Sequence, residues 1–287
     1  MGIAETITGV MTGTSPFGRY FPHPMLNEGS LFLFDPTHSL GAFSGVPESN
    51  QVMPNIAHEI AAEIIGSGDA TTLGAMASKE GTQGVNAIFE RTGAGGMHGL
   101  FSHVTTGTTL RHLVRCAPLI RDYVWANKLS HNFFFSFWFR VTRGIVANAA
   151  PQAPFYCAST TGSYLFHSQG GIVTPSNQLG KRNGAGLIGI ASGTPILYNV
   201  GTNTYLGTPP GSPLEIVGGA GAHGPFGPFN DDAPLGGVIE RMYIEDLTVS
   251  GRTYAEADAL DLELHTAAHA AGGAWYGDTY TNPATFP

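Results

Sequence analysis

Two histidines near the end of the chain, His265 and His269, have a spacing that could hold a metal ion. The alanine- and leucine-rich residues around them predict a helix, and positions four apart lie on one helix face. Two such imidazoles could bind a transition metal if a third ligand came from another element. Histidines near the C-terminal end of a helix are also stabilised by the helix dipole without any metal. We favour this second interpretation, which needs no third ligand.

The pair His58-Glu59 begins like the helix of a zinc peptidase. In that motif a second histidine follows four residues after the first, where this chain has Ala62. The two imidazoles that would bind zinc from one helix face are therefore absent, and we reject this site. The sequence also contains no G-x-S-x-G, the pattern that places the nucleophile of many serine hydrolases.

Three carboxylates occur in the run from 238 to 249, which is predicted to be a strand. Glu245 and Asp246 are adjacent, so they point to opposite faces of that strand, and Glu240 lies farther along it. A glycoside hydrolase needs two carboxyl groups that flank the sugar a few ångströms apart. The sequence therefore predicts no catalytic carboxylate pair.

Two glycine patterns match the G-x-G-x-x-G of dinucleotide-binding proteins, and their glycines are Gly184, Gly186 and Gly189, and Gly219, Gly221 and Gly224. A phosphate site would need a helix that opens directly after the glycines, so that its amides face the phosphate. Pro225 and Pro228 prevent a helix after the second match, and 191–195 ends in a proline after the first. Both matches are predicted to be glycine-rich loops.

The loop Asn230-Asp231-Asp232 offers the hard oxygen ligands that calcium prefers, although an Asx-turn is the commoner use of such residues. Calcium binding near Asp231 and Asp232 therefore stays open. Cys116 and Cys157 lack the spacing of a metal site, and buried free thiols are the favoured interpretation. A disulfide between them stays open as well, because sequence does not fix their distance.

The composition limits the class of protein. The 287 residues include 40 glycines and 19 prolines, only 12% are charged, and the formal net charge is −8. Glycine and proline favour turns between many short strands. An acidic chain lacks the clustered cations of a sequence-independent nucleic-acid binder, so we expect no nucleic-acid partner. So little charge predicts a surface that faces other subunits. No basic segment followed by an apolar run resembles a secretory signal, and we expect synthesis in the cytosol without membrane insertion.

The strongest structural pattern is the aromatic run from 133 to 139. Phe133, Phe135, Phe137 and Phe139 share one face of an extended strand, and the opposite face is also mostly apolar. Seven residues are too few to span a membrane, which takes about 20. Both faces must be covered, which predicts a central strand between two sheets.

The remaining patterns give the domain organisation. Residues 1–27 are predicted to be an extended N-terminal arm, and 28–252 a two-sheet sandwich with a loop-rich insertion near 44–100. Residues 253–287 are predicted to be a C-terminal helix and an aromatic tail that packs on a neighbouring subunit. Within the sandwich we expect a strand at 31–34, a helix from Asn55 as N-cap to Gly66, and recurrent strands after 155. A strand or short turn is expected at 110–123. Thr253 and Glu256 form a capping box for the last helix, which should end near Ala271.

Two segments together resemble a known family. The run from Phe135 to Arg140 is similar to the core strand of concanavalin A-like, or laminin-G-like, jelly rolls, and 238–247 resembles a late strand of that fold. The continuation 243–256 and the ending 275–279 look like tailed-phage virion proteins built on the same jelly roll. The direct resemblance covers about a fifth of the chain. The fold it implies is an all-β, two-sheet jelly roll with short helices.

The resemblance implies a non-enzymatic virion protein, made in the host cytoplasm. Its expected partners are copies of itself, other virion proteins and a host-surface glycan. A tail-tip or fibre-associated adhesion protein is the first expectation, with a capsid decoration protein and a free carbohydrate-binding lectin as alternatives. The calcium and sugar ligands of the family have no matching motif here. No catalytic, cofactor-binding or metal-binding residue is therefore predicted.

Overall fold

The computed structural model describes residues 20–104, 110–145, 154–159, 164–169, 172–174, 178–182, 190–204, 212–221 and 234–287. Within these ranges the strands form two antiparallel sheets of seven strands each. Sheet A contains, in spatial order, β11 (Gln178–Arg182), β12 (Thr194–Thr202), β7 (Phe133–Arg143), β14 (Gly236–Asp246), β5 (Met97–Phe101) and β4 (Ala87–Arg91), with β1 (Ser30–Phe34) also paired to β14. Sheet B contains β10 (Ile172–Thr174), β9 (Tyr164–Gln169), β8 (Phe155–Ser159), β13 (Pro213–Gly221), β6 (Arg111–Arg115), β3 (Ala75–Glu80) and β2 (Val52–Met53). The helices are α1 (His58–Ile65), α2 (Pro118–Asn127), α3 (Leu247–Ser250) and α4 (Tyr254–His269), with a 3-10 turn at Pro283–Thr285.

Strand β7 lies at the centre of sheet A, as the aromatic pattern predicted. It pairs with β12 on one side and with β14 on the other, and every residue except Arg143 is buried. Its phenylalanines at 133, 135, 137 and 139 face sheet B and contribute to the largest apolar core. The predicted all-β, two-sheet architecture with a C-terminal helix is confirmed.

The other face of β7 is covered differently from the prediction. Phe134 packs with Ala257 of α4 and Ile60 of α1, and Trp138 packs beside Leu264 and Ala268 of α4. The prediction of a strand between two sheets is therefore wrong on this side. Alternating apolar residues require that both faces be covered, but they do not say by which element.

The segment 44–100, predicted to be a loop-rich insertion, contributes strands to both sheets. It contributes α1, β2, β3, β4 and β5, so both sheets are built partly from it. The segment at 110–123 gives β6 and the start of α2, a helix that the sequence reading missed. Strand β14 ends at Asp246 rather than at 249, because the Asp246 side chain accepts the amides of Thr248 and Val249 and caps α3.

Helix α1 begins later than predicted. Asn55 is not its N-cap, since the helix starts at His58 and Ala57 occupies the cap position without a side-chain hydrogen bond. Asn55 is instead a buried connector: its Oδ1 accepts from Leu33 N, and its Nδ2 donates to the carbonyls of Leu31 and Leu73. The predicted end at Gly66 is confirmed, and Gly66 adopts a φ of 79°.

The two ends of the described chain pack on their own subunit. Met25 and Leu26 are buried against the outer face of sheet A, so this part of the predicted arm 1–27 belongs to the domain; residues 1–19 lie outside the described ranges. The tail also makes contacts within its own chain. Trp275 is buried, and Arg143 donates to the carbonyls of Pro283 and Phe286.

Among the described residues, none of the helices is both long and apolar enough to cross a membrane.

Helix α4 carries the predicted capping box. Glu256 N donates to Thr253 Oγ1 at 3.3 Å, and Thr253 N donates to the Glu256 carboxylate at 2.8 Å. The helix ends at His269, two residues before the predicted end at Ala271.

We expect Thr253→Ala to lower the free energy of unfolding by about 1 kcal/mol, because it leaves a helix amide without its acceptor. Urea unfolding followed by circular dichroism measures this difference. Thr266→Ala, at an exposed position inside the same helix, is the control and should change stability by less than about 0.5 kcal/mol. Equal losses in both variants would contradict the capping role.

Candidate functional site

Three of the residues that suggested chemistry in the sequence lie in one region, the layer between the outer face of sheet A and α4. We call it the outer polar layer and define it by these side chains: Trp138, Arg140, Arg182, Asn199, Glu240, Arg241, Asp258, Asp261, His265 and His269. It brings His265, His269 and Glu240 together. Glu245 and Asp246 lie farther along β14, outside this layer.

A β-bulge in β14 explains why two charged residues enter the layer side by side. The pairing with β7 shifts register between Ile239 and Arg241. Ile239 and Met242 both face the core between the sheets, so Glu240 and Arg241 both point outward to α4. Strict alternation would have pointed one of these two charged side chains toward the apolar core.

Arg241 is the most deeply buried cation of the layer. Its guanidinium donates to Asp261 Oδ1 at 2.6 Å and lies 3.5 Å from the centre of the Trp138 ring. Trp138 Nε1 donates to the same carboxylate at 2.9 Å. Both Arg241 and Asp261 are almost completely shielded from solvent. This pair ties α4 to the middle of sheet A.

Glu240 forms the second connection. Its Oε1 accepts from Arg140 Nε at 2.9 Å, and its Oε2 contacts His269 Nε2 at 2.9 Å. Arg140 also donates to the carbonyl of Trp275, so this bond holds the segment after α4 against sheet A. The Glu240 carboxylate, fully buried, is thus used on both oxygens.

Asp258 forms the third connection, near the start of α4. Arg182 donates to both of its oxygens, at 2.8 and 2.7 Å, and Asn199 Nδ2 donates to Oδ1 at 2.9 Å. The Tyr254 ring lies over Gly180 and Gly201, where an added Cβ would collide with it. Two glycines on neighbouring strands therefore make the space in which the first turn of α4 docks.

His265 differs from the other members of the layer. Its ring lies 4.3 Å from His269 and 5.1 Å from Trp138, edge-on to the indole. Its Nε2 is buried without a hydrogen-bond partner among the described residues. Burial, and then the positive charges of His269 and Arg241, lower the pKa of His265 from 6.5 to about 3. The imidazole is therefore neutral at pH 7.

The two histidines do share a face, as their spacing predicted, but the layer offers them no metal geometry. The Glu240 carboxylate beside them is already bound to Arg140. In the described part of the chain, no group of three or more His, Cys, Asp or Glu side chains is placed to hold a metal ion.

The other two carboxylates of β14 lie on opposite faces, as predicted. Glu245 accepts hydrogen bonds from Arg252 and from Ser250, whose hydroxyl is 2.6 Å away. Asp246 contacts His131 Nδ1 at 2.6 Å and accepts from the Tyr123 hydroxyl at 2.9 Å. Each carboxylate holds a neighbouring segment of the chain to the end of β14. The two do not form a pair that could flank a sugar.

The structure also contains a carboxylate–imidazole–hydroxyl line that the sequence analysis missed. Glu90 Oε1 lies 2.7 Å from His98 Nδ1, and His98 Nε2 lies 2.9 Å from Thr142 Oγ1. The hydrogen bond with His98 lowers the pKa of Glu90 to about 2. Thr142 and His98 are buried, and Tyr280 lies against the imidazole. A nucleophile in this line could not reach a substrate without removal of the tail, so the line ties β4, β5, β7 and the tail together.

No protein-family model, curated protein or solved structure matches the chain. Three earlier hypotheses fall partly or wholly outside the described residues. Outside these ranges lie the loop Asn230-Asp231-Asp232, all three glycines of the first G-x-G-x-x-G match, and Gly224 of the second match. The described glycines of the second pattern, Gly219 and Gly221, lie in β13 and not in a loop as predicted. Cys116 and Cys157 are buried free thiols.

One surface depression, of about 390 Å³, lies at the edge of sheet B. Its lining residues are Thr71, Thr72, Gly74, Met76, Ala117, Pro118 and Leu119. No lining side chain carries a charge, so nothing in the depression could act as an acid, a base or an anchor for an ionic ligand.

Proposed function

We propose that this chain is a non-enzymatic structural protein of a tailed-phage particle, with a jelly-roll sandwich of the laminin-G type. Its first placement is a tail-tip or fibre-associated adhesion protein that acts as a homo-oligomer. The resemblance of 135–140 and 238–256 supports the class, and the two antiparallel sheets are compatible with the fold. A capsid decoration protein is the alternative placement.

The observation that carries the proposal is where the charged side chains lie. The chain has 13 basic and 21 acidic residues in 287. Among the described residues, eight of these are buried: Asp35, Lys128, Arg140, Glu240, Arg241, Glu245, Asp246 and Asp261. Charged residues are rarely buried unless they are paired, and a soluble domain normally keeps about a quarter to a third of its surface charged. The charged side chains left on the surface are still few for a soluble domain, which favours contacts with other subunits.

Exposed apolar side chains point in the same direction. Val52, Leu179, Leu214, Leu262 and Tyr276 are all more than a third exposed. Single exposed apolar residues are ordinary on a monomer. Together with a surface poor in charge, they suit burial against further copies of the chain or other particle proteins.

Light scattering on the purified full-length chain tests the proposal. We expect one symmetric homo-oligomer whose mass does not change between low and high micromolar concentration. A monodisperse monomer across that range would contradict the proposal.

A glycan array, run with calcium and with a chelator, separates the lectin alternative. Calcium-dependent sugar binding by a monomer would favour a free lectin. Sugar binding by a stable oligomer would support the adhesion placement over capsid decoration.

A further inference from the structure

His265 is a half-buried titratable side chain of the outer polar layer, at the contact between α4 and sheet A. Its Nε2 is buried without a partner among the described residues, and its ring is held between the Trp138 edge and His269. Trp138 belongs to β7 and both histidines belong to α4, so any change at His265 acts directly on the contact between helix and sheet.

The charges that face His265 come from every element packed around it. They are His269, Asp258 and Asp261 of α4, Arg140 of β7, Glu240 and Arg241 of β14, and Arg182 of β11. The three arginines and three carboxylates balance one another. Each carboxylate is already in contact through both oxygens with side chains other than His265.

We propose that the outer polar layer is an acid-sensitive latch: protonation of His265 releases α4 from the outer face of sheet A, while the sandwich beneath stays folded. The latch does not depend on the assembly proposed above. Strand β7 is held by β12 and β14 and by the core between the sheets, so its pairing does not rely on α4.

The direction follows from the two states of the imidazole. In the docked helix the pKa of His265 is about 3, whereas an imidazole exposed to water has a pKa of about 6.5. The docked state therefore loses stability as the pH falls below about 6.5. The ratio of undocked to docked helix should rise about 25-fold from pH 7 to pH 5, and about 200-fold from pH 7 to pH 4.

Amide hydrogen exchange on the full-length chain tests the latch. Rates at pH 7 and pH 5 are corrected for the intrinsic pH dependence and compared for 254–269 and 133–143. We expect faster corrected exchange in 254–269 at pH 5, with 133–143 unchanged. His265→Gln stays neutral at both pH values and should abolish most of this difference. His58→Gln, on α1, is the matched control and should exchange like the parent.

Two results would overturn the proposal. One is corrected exchange of 254–269 that is the same at pH 7 and pH 5 in the parent. The other is an equal acid response in the parent and His265→Gln. If His265→Gln does not fold, the parent decides alone: joint acceleration of 254–269 and 133–143 shows global opening and excludes a latch, whereas selective acceleration supports it.

Discussion

Replacing Phe137 with alanine is expected to lower the free energy of unfolding by about 3–5 kcal/mol, the usual range for a buried phenylalanine. The side chain is fully buried between the sheets, with its ring centre 5.2 Å from Phe155 and 5.5 Å from Phe139. On the opposite sheet, Gly218 leaves the space for it, because a Cβ there would lie 2.6 Å from Phe137 Cε2. Removal of this ring leaves a cavity between the two sheets, and neither backbone can move in to fill it.

Urea unfolding monitored by circular dichroism measures this loss, and we expect assembly to fail with the fold. Leu262→Ala removes an exposed apolar side chain from α4 and should change stability by less than about 1 kcal/mol. If Phe137→Ala unfolds at the parent's midpoint, Phe137 does not belong to the central core.

The prediction for β7 was right about which residues are buried and wrong about the elements that cover its outer face. Both outcomes have the same cause. Alternation at 133–139 is a local property, so the sequence shows which residues are buried. What covers the second face depends on contacts far apart in the chain, such as the bond from Trp138 to Asp261 across 123 positions. Nothing in the pattern of either segment points to the other.

The missed helix α2 is a different case, because a signal was present. Pro118 stands at the start of α2, a position that proline favours, directly after Ala117. The preceding mixture of arginine, histidine and leucine belongs to β6 and hid this boundary.

The β-bulge at Glu240 has no comparable signal in the sequence. A strand of alternating residues with one insertion resembles an ordinary strand until its pairing with β7 is known.

The charged layer under α4 could be predicted only in part. The spacing of His265 and His269 showed that they share a helix face, and that is confirmed. The role of Asp261 could not be predicted, because on a helix an aspartate suggests an exposed position. Its burial depends on Arg241, Trp138 and Asn199, which belong to three different strands.

Asp261→Ala should destabilise the protein by about 3–5 kcal/mol, because it leaves Arg241 as a buried charge without its partner. Arg241 has no other carboxylate within salt-bridge distance among the described residues, and its Nε already lacks an acceptor. Urea unfolding at pH 7 gives the difference. Asp122→Ala removes an exposed carboxylate that pairs with Arg121, and should change stability by less than about 1 kcal/mol.

The double variant Asp261→Leu with Arg241→Met decides whether the loss comes from an isolated charge. Replacing a buried ion pair by apolar side chains of similar size is often neutral or stabilising, whereas removal of one partner is costly. We therefore expect the double variant to be more stable than Asp261→Ala, although it lacks both charges. A double variant as unstable as Asp261→Ala would show that the loss comes from the missing bonds of Trp138 and Asn199 to the carboxylate, which both variants lack. In that case the Arg241 charge would be incidental to the docking of the helix.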